Sequence, residues 1–170
     1  MKQSGGEKFM PDIDSISEKT LHTLKNIPTQ TLIDGLWVKG WPSTYVQGAR
    51  PLRLGQSMAG RAVTLRFVPH RPDLANDKPK GENSAEYVAI ELCGPNEVLV
   101  IDALGWKYSS IGGDIKFMRL MQRKVGGLVT DGGVRDSVVL KEYGFPVFSA
   151  STTAKQGPAD FWPWQVNDAI

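Results

Sequence analysis

The sequence predicts a single compact α/β domain built on a parallel sheet. Three observations carry this prediction. Residues 60–69, 98–103, 128–131 and 145–150 form short β-branched or apolar runs that read as strands. Helix-like segments with a broad apolar side separate the last three. Gly94-Pro95, Gly126-Gly127 and Gly144 punctuate the joins. The order strand, helix, strand, helix, strand between 98 and 150 then implies right-handed crossovers and parallel pairing. A chain of 170 residues fits one such domain. A domain of about 150 residues buries roughly 68–70% of its unfolded surface, enough for a sizeable core.

The elements follow in order. Residues 1–12 are polar and contain Gly5, Gly6 and Pro11, so a flexible leader is expected ahead of a domain spanning 13–170. Ile16, Leu21 and Leu24 give 15–25 a helical period, and Pro28 stops it. A second helix runs from Thr29, as N-cap, through Leu32, Ile33, Leu36 and Trp37 to Gly40. Residues 41–56 are rich in Pro, Gly and Ser and read as loop with short extended pieces. Strand 60–69 (GRAVTLRFVP) leads into a polar loop over 70–83, of a length typical of lids, binding loops or disordered insertions. Residues 84–93 form a helix closed by Gly94-Pro95, and the nearly continuous apolar run 98–103 is a buried strand. In the helix 114–124, Arg123 and Lys124 occupy the last turn, where positive charge suits the dipole. A short strand at 128–131, a helix at 136–143 and a strand at 145–150 follow. The tail 151–170 shows no period. Its Phe161, Trp162 and Trp164 require cover, from this domain or from another chain.

Composition removes several functions. Hydrophobic residues at 41% and charged residues at 22% exclude a wholly disordered chain. No apolar run approaches the ~20 residues of a membrane span, and residues 1–10 lack the apolar segment of a secretory signal. Lys plus Arg number 20 and Asp plus Glu 18, a net charge of +2 spread along the chain, which argues against nucleic acid as a partner. Cys93 is the single cysteine, so an internal disulfide is excluded, and its apolar neighbours make it a buried thiol compatible with a reducing cytoplasm. His22 and His70 are the two histidines, too few for a multi-histidine metal cluster or a zinc finger.

Ligands of open α/β sheets bind beyond the carboxyl ends of the strands. Two loops leave strands there: 104–114, ending Ser109-Ser110-Ile111-Gly112-Gly113-Asp114, and 131–136, Asp131-Gly132-Gly133-Val134-Arg135-Asp136. In one parallel sheet they converge and gather carboxylates, an arginine and four glycines. Gly112-Gly113 ahead of a helix lets backbone N–H groups approach an anion. Arg135 offers a planar fork to an oxyanion. Asp136 suits a hard cation such as Mg²⁺, which uses one or two carboxylates and keeps its waters. Each element also has a plain structural use. Asp114 and Asp136 can be N-cap residues, Arg135-Asp136 a solvated ion pair, and Asp131 a turn residue.

Gly113-Asp114-Ile115-Lys116 followed by Arg135-Asp136 resembles the RraA-like family, which includes 4-hydroxy-4-methyl-2-oxoglutarate aldolases and regulators of ribonuclease activity. The family's aldolase signature is an aspartate, twenty residues, then Arg-Asp. Here residues 115–134 separate Asp114 from Arg135-Asp136. Asp34-Gly35-Leu36, Gly60-Arg61-Ala62-Val63-Thr64 and Tyr143-Gly144-Phe145-Pro146-Val147-Phe148 extend the likeness over 27–155.

The resemblance implies a swivelling β/β/α fold, assembly as a homotrimer or a hexamer of two trimers, Mg²⁺ or Mn²⁺ as cofactor and a small 2-oxo acid as substrate. Carried over, Asp136 is the metal ligand and Arg135 binds the keto oxygen. The backbone of Gly113, Asp114, Ile115 and Lys116 holds the pyruvyl carboxylate, and Asp114 acts through water on the cation. The implied reaction cleaves 4-hydroxy-2-oxo acids to pyruvate, with oxaloacetate decarboxylation alongside. Lys116 offers an imine-forming alternative, and a non-catalytic regulator is the alternative from another class. Family chains continue past this one into further strands, so a C-terminally short, inactive homologue is a third expectation.

Overall fold

The computed structural model describes residues 16–170, and the leader expected at 1–12 lies outside them. Six strands form one mixed sheet. They are β1 (Arg50–Pro51), β2 (Arg61–Pro69), β3 (Glu97–Asp102), β4 (Gly127–Val134), β5 (Val147–Thr152) and β6 (Phe161–Val166). Their spatial order is β1-β5-β4-β3-β2-β6. The four central strands run parallel, as their helical connections require, and both edge strands are antiparallel.

Three helices connect the parallel strands: α3 (Ala85–Leu92), α4 (Asp114–Gln122) and α5 (Ser137–Tyr143). The period-2 pattern of β2 turns Val63, Leu65 and Phe67 to one face, where they are buried with Leu99, Leu128 and Val147. Ile90, Phe117, Leu120 and Leu140 from the three helices close the same core. Burying each such side chain contributes roughly 1.5–3 kcal/mol, which holds the strand ends and their loops in register.

The opposite face is looser. It carries α1 (Glu18–Lys25) and α2 (Thr29–Val38). Ser17 caps α1 by accepting the Thr20 N–H at 3.1 Å. The expected Thr29 cap does not form. Pro28, whose ring presets the backbone for a helix start, precedes α2, and Thr29 is its first residue. No residue of α2 is buried, and a groove of about 660 Å³ separates its Ile33 from Val129 and Phe148 of the sheet.

The structure departs from the sequence reading at three places that matter for the site. The strand read at 128–131 runs from Gly127 to Val134, with an irregularity between Thr130 and Gly133. A strand bearing Gly132-Gly133 reads as a turn because glycine carries no β signal. The loop 41–56 contributes the short edge strand β1. The tail without a period contains β6, which pairs with β2 and so covers its own aromatics: Phe161 packs edge-on against Phe67, ring centroids 4.8 Å apart. Pro163 within it is tolerated because β6 is an edge strand. The 70–83 loop is present, carrying 3₁₀ turns at Pro72–Leu74 and Gly81–Asn83.

Candidate active site at the carboxyl ends of β3 and β4

The two loops meet. Ile111 donates its N–H to Gly133 O at 2.9 Å, and Arg135 donates its N–H to Gly112 O at 3.1 Å. These rungs continue the sheet beyond β3 and bring the start of α4 against the Arg135-Asp136 corner. Gly113 leaves room for both side chains of that corner. A Cβ on it would stand 2.0 Å from Asp136 Oδ2 and 2.9 Å from Arg135 Nε.

Neither aspartate caps its helix through its side chain. Gly113 is the N-cap of α4, and Asp114 is the first helical residue, its Oδ1 accepting the Ile115 N–H at 2.8 Å. Asp136 is the N-cap of α5 and its backbone O accepts the Leu140 N–H at 3.0 Å, but its side chain bonds no N–H of that helix. Its backbone is left-handed, φ 57° and ψ 31°, a conformation aspartate tolerates at a cost of order 1 kcal/mol. That turn carries the carboxylate away from its own helix. Asp136 Oδ2 instead accepts the Asp114 N–H at 3.1 Å and lies 3.5 Å from Arg135 Nε. A carboxylate thus sits at the N-terminus of α4, where orphan N–H groups and the dipole favour an anion.

Two clefts flank Arg135. One, of about 440 Å³, is walled by Gly112 to Lys116 on one side and by Gln156 to Pro158 on the other, with Tyr87 at its rim. The second, of about 750 Å³ and wider, runs past Asp114 and Asp136 to Thr152, Thr153 and Ala154. The predicted residues Gly113, Asp114, Ile115, Lys116, Arg135 and Asp136 are therefore brought together. Asp131 is not with them. Its carboxylate accepts the N–H groups of Ala103 (2.7 Å) and Gly105 (2.5 Å) and fixes the exit from β3. Lys116 Nζ donates to Glu86 Oε2 at 2.5 Å and to Ile111 O at 3.4 Å, so it is held as an ion-pair partner.

The donor set favours one class of metal. Among the described residues no group of three His, Cys, Asp or Glu side chains comes together. Asp136, which keeps Oδ1 without a protein donor among the described residues, and Asp114 both present carboxylate oxygens along an open cleft. That suits a hard cation holding mostly water or substrate oxygens, and not zinc, which takes nitrogen and sulfur ligands.

The sequence reading missed the far wall. Asp160, just ahead of β6, accepts from the Ser109 hydroxyl, from Trp106 Nε1 at 3.2 Å and from Lys155 Nζ at 2.9 Å. Bonds from Lys155 and Ser109 hold its carboxyl below the ordinary carboxylate range. Three polar donors from two separate segments leave no local spacing to detect.

A family model for RraA-like proteins, described as Aldolase/RraA, matches residues 29–168. The chain belongs to the RraA-like family. Halalkalibacterium halodurans has a curated relative named "Putative 4-hydroxy-4-methyl-2-oxoglutarate aldolase", 28% identical over 142 residues. That match covers 84% of this chain and 59% of the relative, so the chain spans under two thirds of the relative's length. Among solved structures, Streptomyces coelicolor RraAS2, described as an unusual member of the RNase ES inhibitor RraA protein family, superposes with a TM-score of 0.80 at 26% identity. It is covered over 74% of its length by 91% of this chain. The RNA-processing inhibitor RraA of Thermus thermophilis shares the fold, with a TM-score of 0.60 at 21% identity over 85% of this chain and 79% of its own. The RraA-like fold expected from the sequence is thus the fold observed. Among the described residues no helix is long and apolar enough to cross a membrane.

Proposed function

We propose that the chain is a divalent-metal-dependent lyase that cleaves 4-hydroxy-2-oxo acids, of the 4-hydroxy-4-methyl-2-oxoglutarate type, to pyruvate. The observation that carries this is the orientation of Asp136. A capping aspartate faces its own helix, whereas this one is turned through a left-handed backbone to join Arg135 and Asp114 at another helix's N-terminus. The relative from Halalkalibacterium halodurans supports the same chemistry.

Asp136, with Asp114 beside it, would hold Mg²⁺ or Mn²⁺, which supplies Lewis-acid polarisation of a 2-oxo group. Arg135 donates to the keto oxygen, where negative charge grows as the C3–C4 bond breaks and its electron pair forms the C2–C3 double bond. The 4-hydroxyl loses its proton to a water held by Asp114, and C4 becomes a carbonyl. Protonation at C3 then gives pyruvate. Loss of CO₂ from oxaloacetate leaves the same enolate, so decarboxylation accompanies cleavage. The start of α4, at Gly113 to Lys116, orients the substrate carboxylate. The ion pair of Lys116 with Glu86 supports a structural role for that lysine over the imine alternative.

The test is pyruvate release from 4-hydroxy-4-methyl-2-oxoglutarate and from oxaloacetate, with Mg²⁺ and with EDTA. Release with the metal and none with EDTA is expected. No release from a folded sample overturns the reading. The likeness to RraAS2 favours a second reading, a protein-binding regulator, which needs no metal. A homotrimer or hexamer in the cytoplasm fits either reading.

A further inference from the structure

We propose that Asp160 is a positioning residue for this site, fixing the 104–113 loop against the 151–160 segment so that Gly113, Asp114 and Arg135 stand in working geometry. The inference rests on the lyase reading for its kinetic consequence and on the structure alone for its mechanical one.

Asp160 stands where three parts of the chain meet. Its side chain takes Ser109 and Trp106 from the loop and Lys155 from its own segment. Its backbone O accepts the His70 N–H at 2.8 Å, which ties the knot to the end of β2. Ser109 is fully buried, so its hydroxyl cannot meet a substrate. Its role is to anchor. From this knot a continuous set of bonds leads to the chemistry. Ser110 donates its N–H to Lys155 O at 2.9 Å, Ser110 Oγ accepts the Gly112 N–H at 3.0 Å, and Gly112 O accepts the Arg135 N–H. Farther along, the Ser151 hydroxyl donates to Lys107 O, and Thr153 Oγ1 donates to Tyr108 O at 3.1 Å. Gly157 closes the approach, since a Cβ on it would stand 2.4 Å from Ser110 O.

The same 151–160 segment supplies one side of both clefts. Asp160 touches neither the start of α4 nor Arg135. It therefore acts on the reaction through the loop, and a small displacement there costs rate more than binding.

Asp160→Asn keeps the shape and removes the charge that Lys155 and Ser109 bond. The experiment compares wild type, Asp160→Asn, Ser109→Ala and the double variant. Hydrogen exchange at the amides of 109–116 is expected to quicken about tenfold in Asp160→Asn, more than at the amides of the β2, β3 and α4 core. In Mg²⁺-dependent pyruvate release, kcat is expected to fall by about tenfold or more while KM stays within about twofold. The two single effects on kcat are expected to be non-additive, because both break one contact. Unchanged exchange, or additive effects, would overturn the proposal. If Asp160→Asn does not fold, Ser109→Ala and Trp106→Phe break the knot from the loop side and must quicken the same amides. Exchange needs no activity, so an inactive wild type would sink the lyase reading and leave the positioning claim decided separately.

Discussion

The two walls of the cleft differ in how far side chains hold them. The wall at 112–116 and 132–136 is glycine and aspartate, and backbone bonds between two loops hold it. The wall at 151–160 shares two such backbone bonds, Ser110 N–H to Lys155 O and Thr153 N–H to Val134 O, and adds side chains, with Asp160, Ser151 and Thr153 reaching across to the 106–109 stretch. The first wall carries the groups that can do chemistry, and Gly113 and Gly133 permit its closest approaches, where an added Cβ would stand 2.0 Å from Asp136 Oδ2 and 2.9 Å from Ser109 O. The second carries no such group and sets where the first one stands. Reactive and positioning functions are thus separated along the chain as well as in space.

Substitutions on the first wall should have the larger effects. Asp136→Ala should reduce metal-dependent pyruvate release by about a hundredfold or more, with little loss of stability, because its carboxylate bonds no core group. Gly113→Ala should match that loss and also destabilise the fold, by about 1–3 kcal/mol, since the new methyl meets Asp136 Oδ2 at 2.0 Å. Denaturant titration separates the two variants. If Gly113→Ala were stable and active, the close approach would not be needed. On the second wall, Asp160→Asn should cost about tenfold in kcat.

Acid should act on the second wall first through Asp160. Its carboxyl is held below the ordinary range, so the folded state binds the proton less readily than the unfolded chain. The stabilisation is complete above the ordinary carboxylate pKa of about 4 and is lost as pH falls below it. The slope of stability with pH in that window should be shallower in Asp160→Asn, and an identical slope would show the contact to be idle.

The smallest effect belongs to Cys93, remote from both walls. Burial, with a contribution from Glu97, pushes its thiol up to about 12. Alkylation at pH 8.5 should be slow in the native protein and fast in denaturant. Fast native labelling would show that the core between α3 and the sheet opens.

Much of the first wall was legible in the sequence. Gly112-Gly113-Asp114 and Arg135-Asp136 are local motifs, and parallel strands with helical connections force their loops to one end of the sheet. Their capping readings were equally legible and held only in part: Asp136 takes the N-cap position of α5 but its side chain bonds across to Asp114, and the N-cap of α4 is Gly113. The fold was readable wherever apolar residues repeat, as in β2, β3 and α4. It was not readable in β6, where Phe161-Trp162-Pro163-Trp164 shows no alternation and Pro163 argues against a strand until the edge position is known. Nor was the Asp160 knot readable, since its donors lie 5, 51 and 54 residues away.

The central claim is that Asp136 is turned to serve a cation together with a 2-oxo acid. Calorimetric titration of Mn²⁺ into the wild type and into Asp136→Ala, with and without pyruvate, tests it most directly. The account predicts that the wild type binds the ion, that pyruvate tightens the binding, and that Asp136→Ala loses both. Equal binding in the two proteins, or no response to pyruvate, would contradict it.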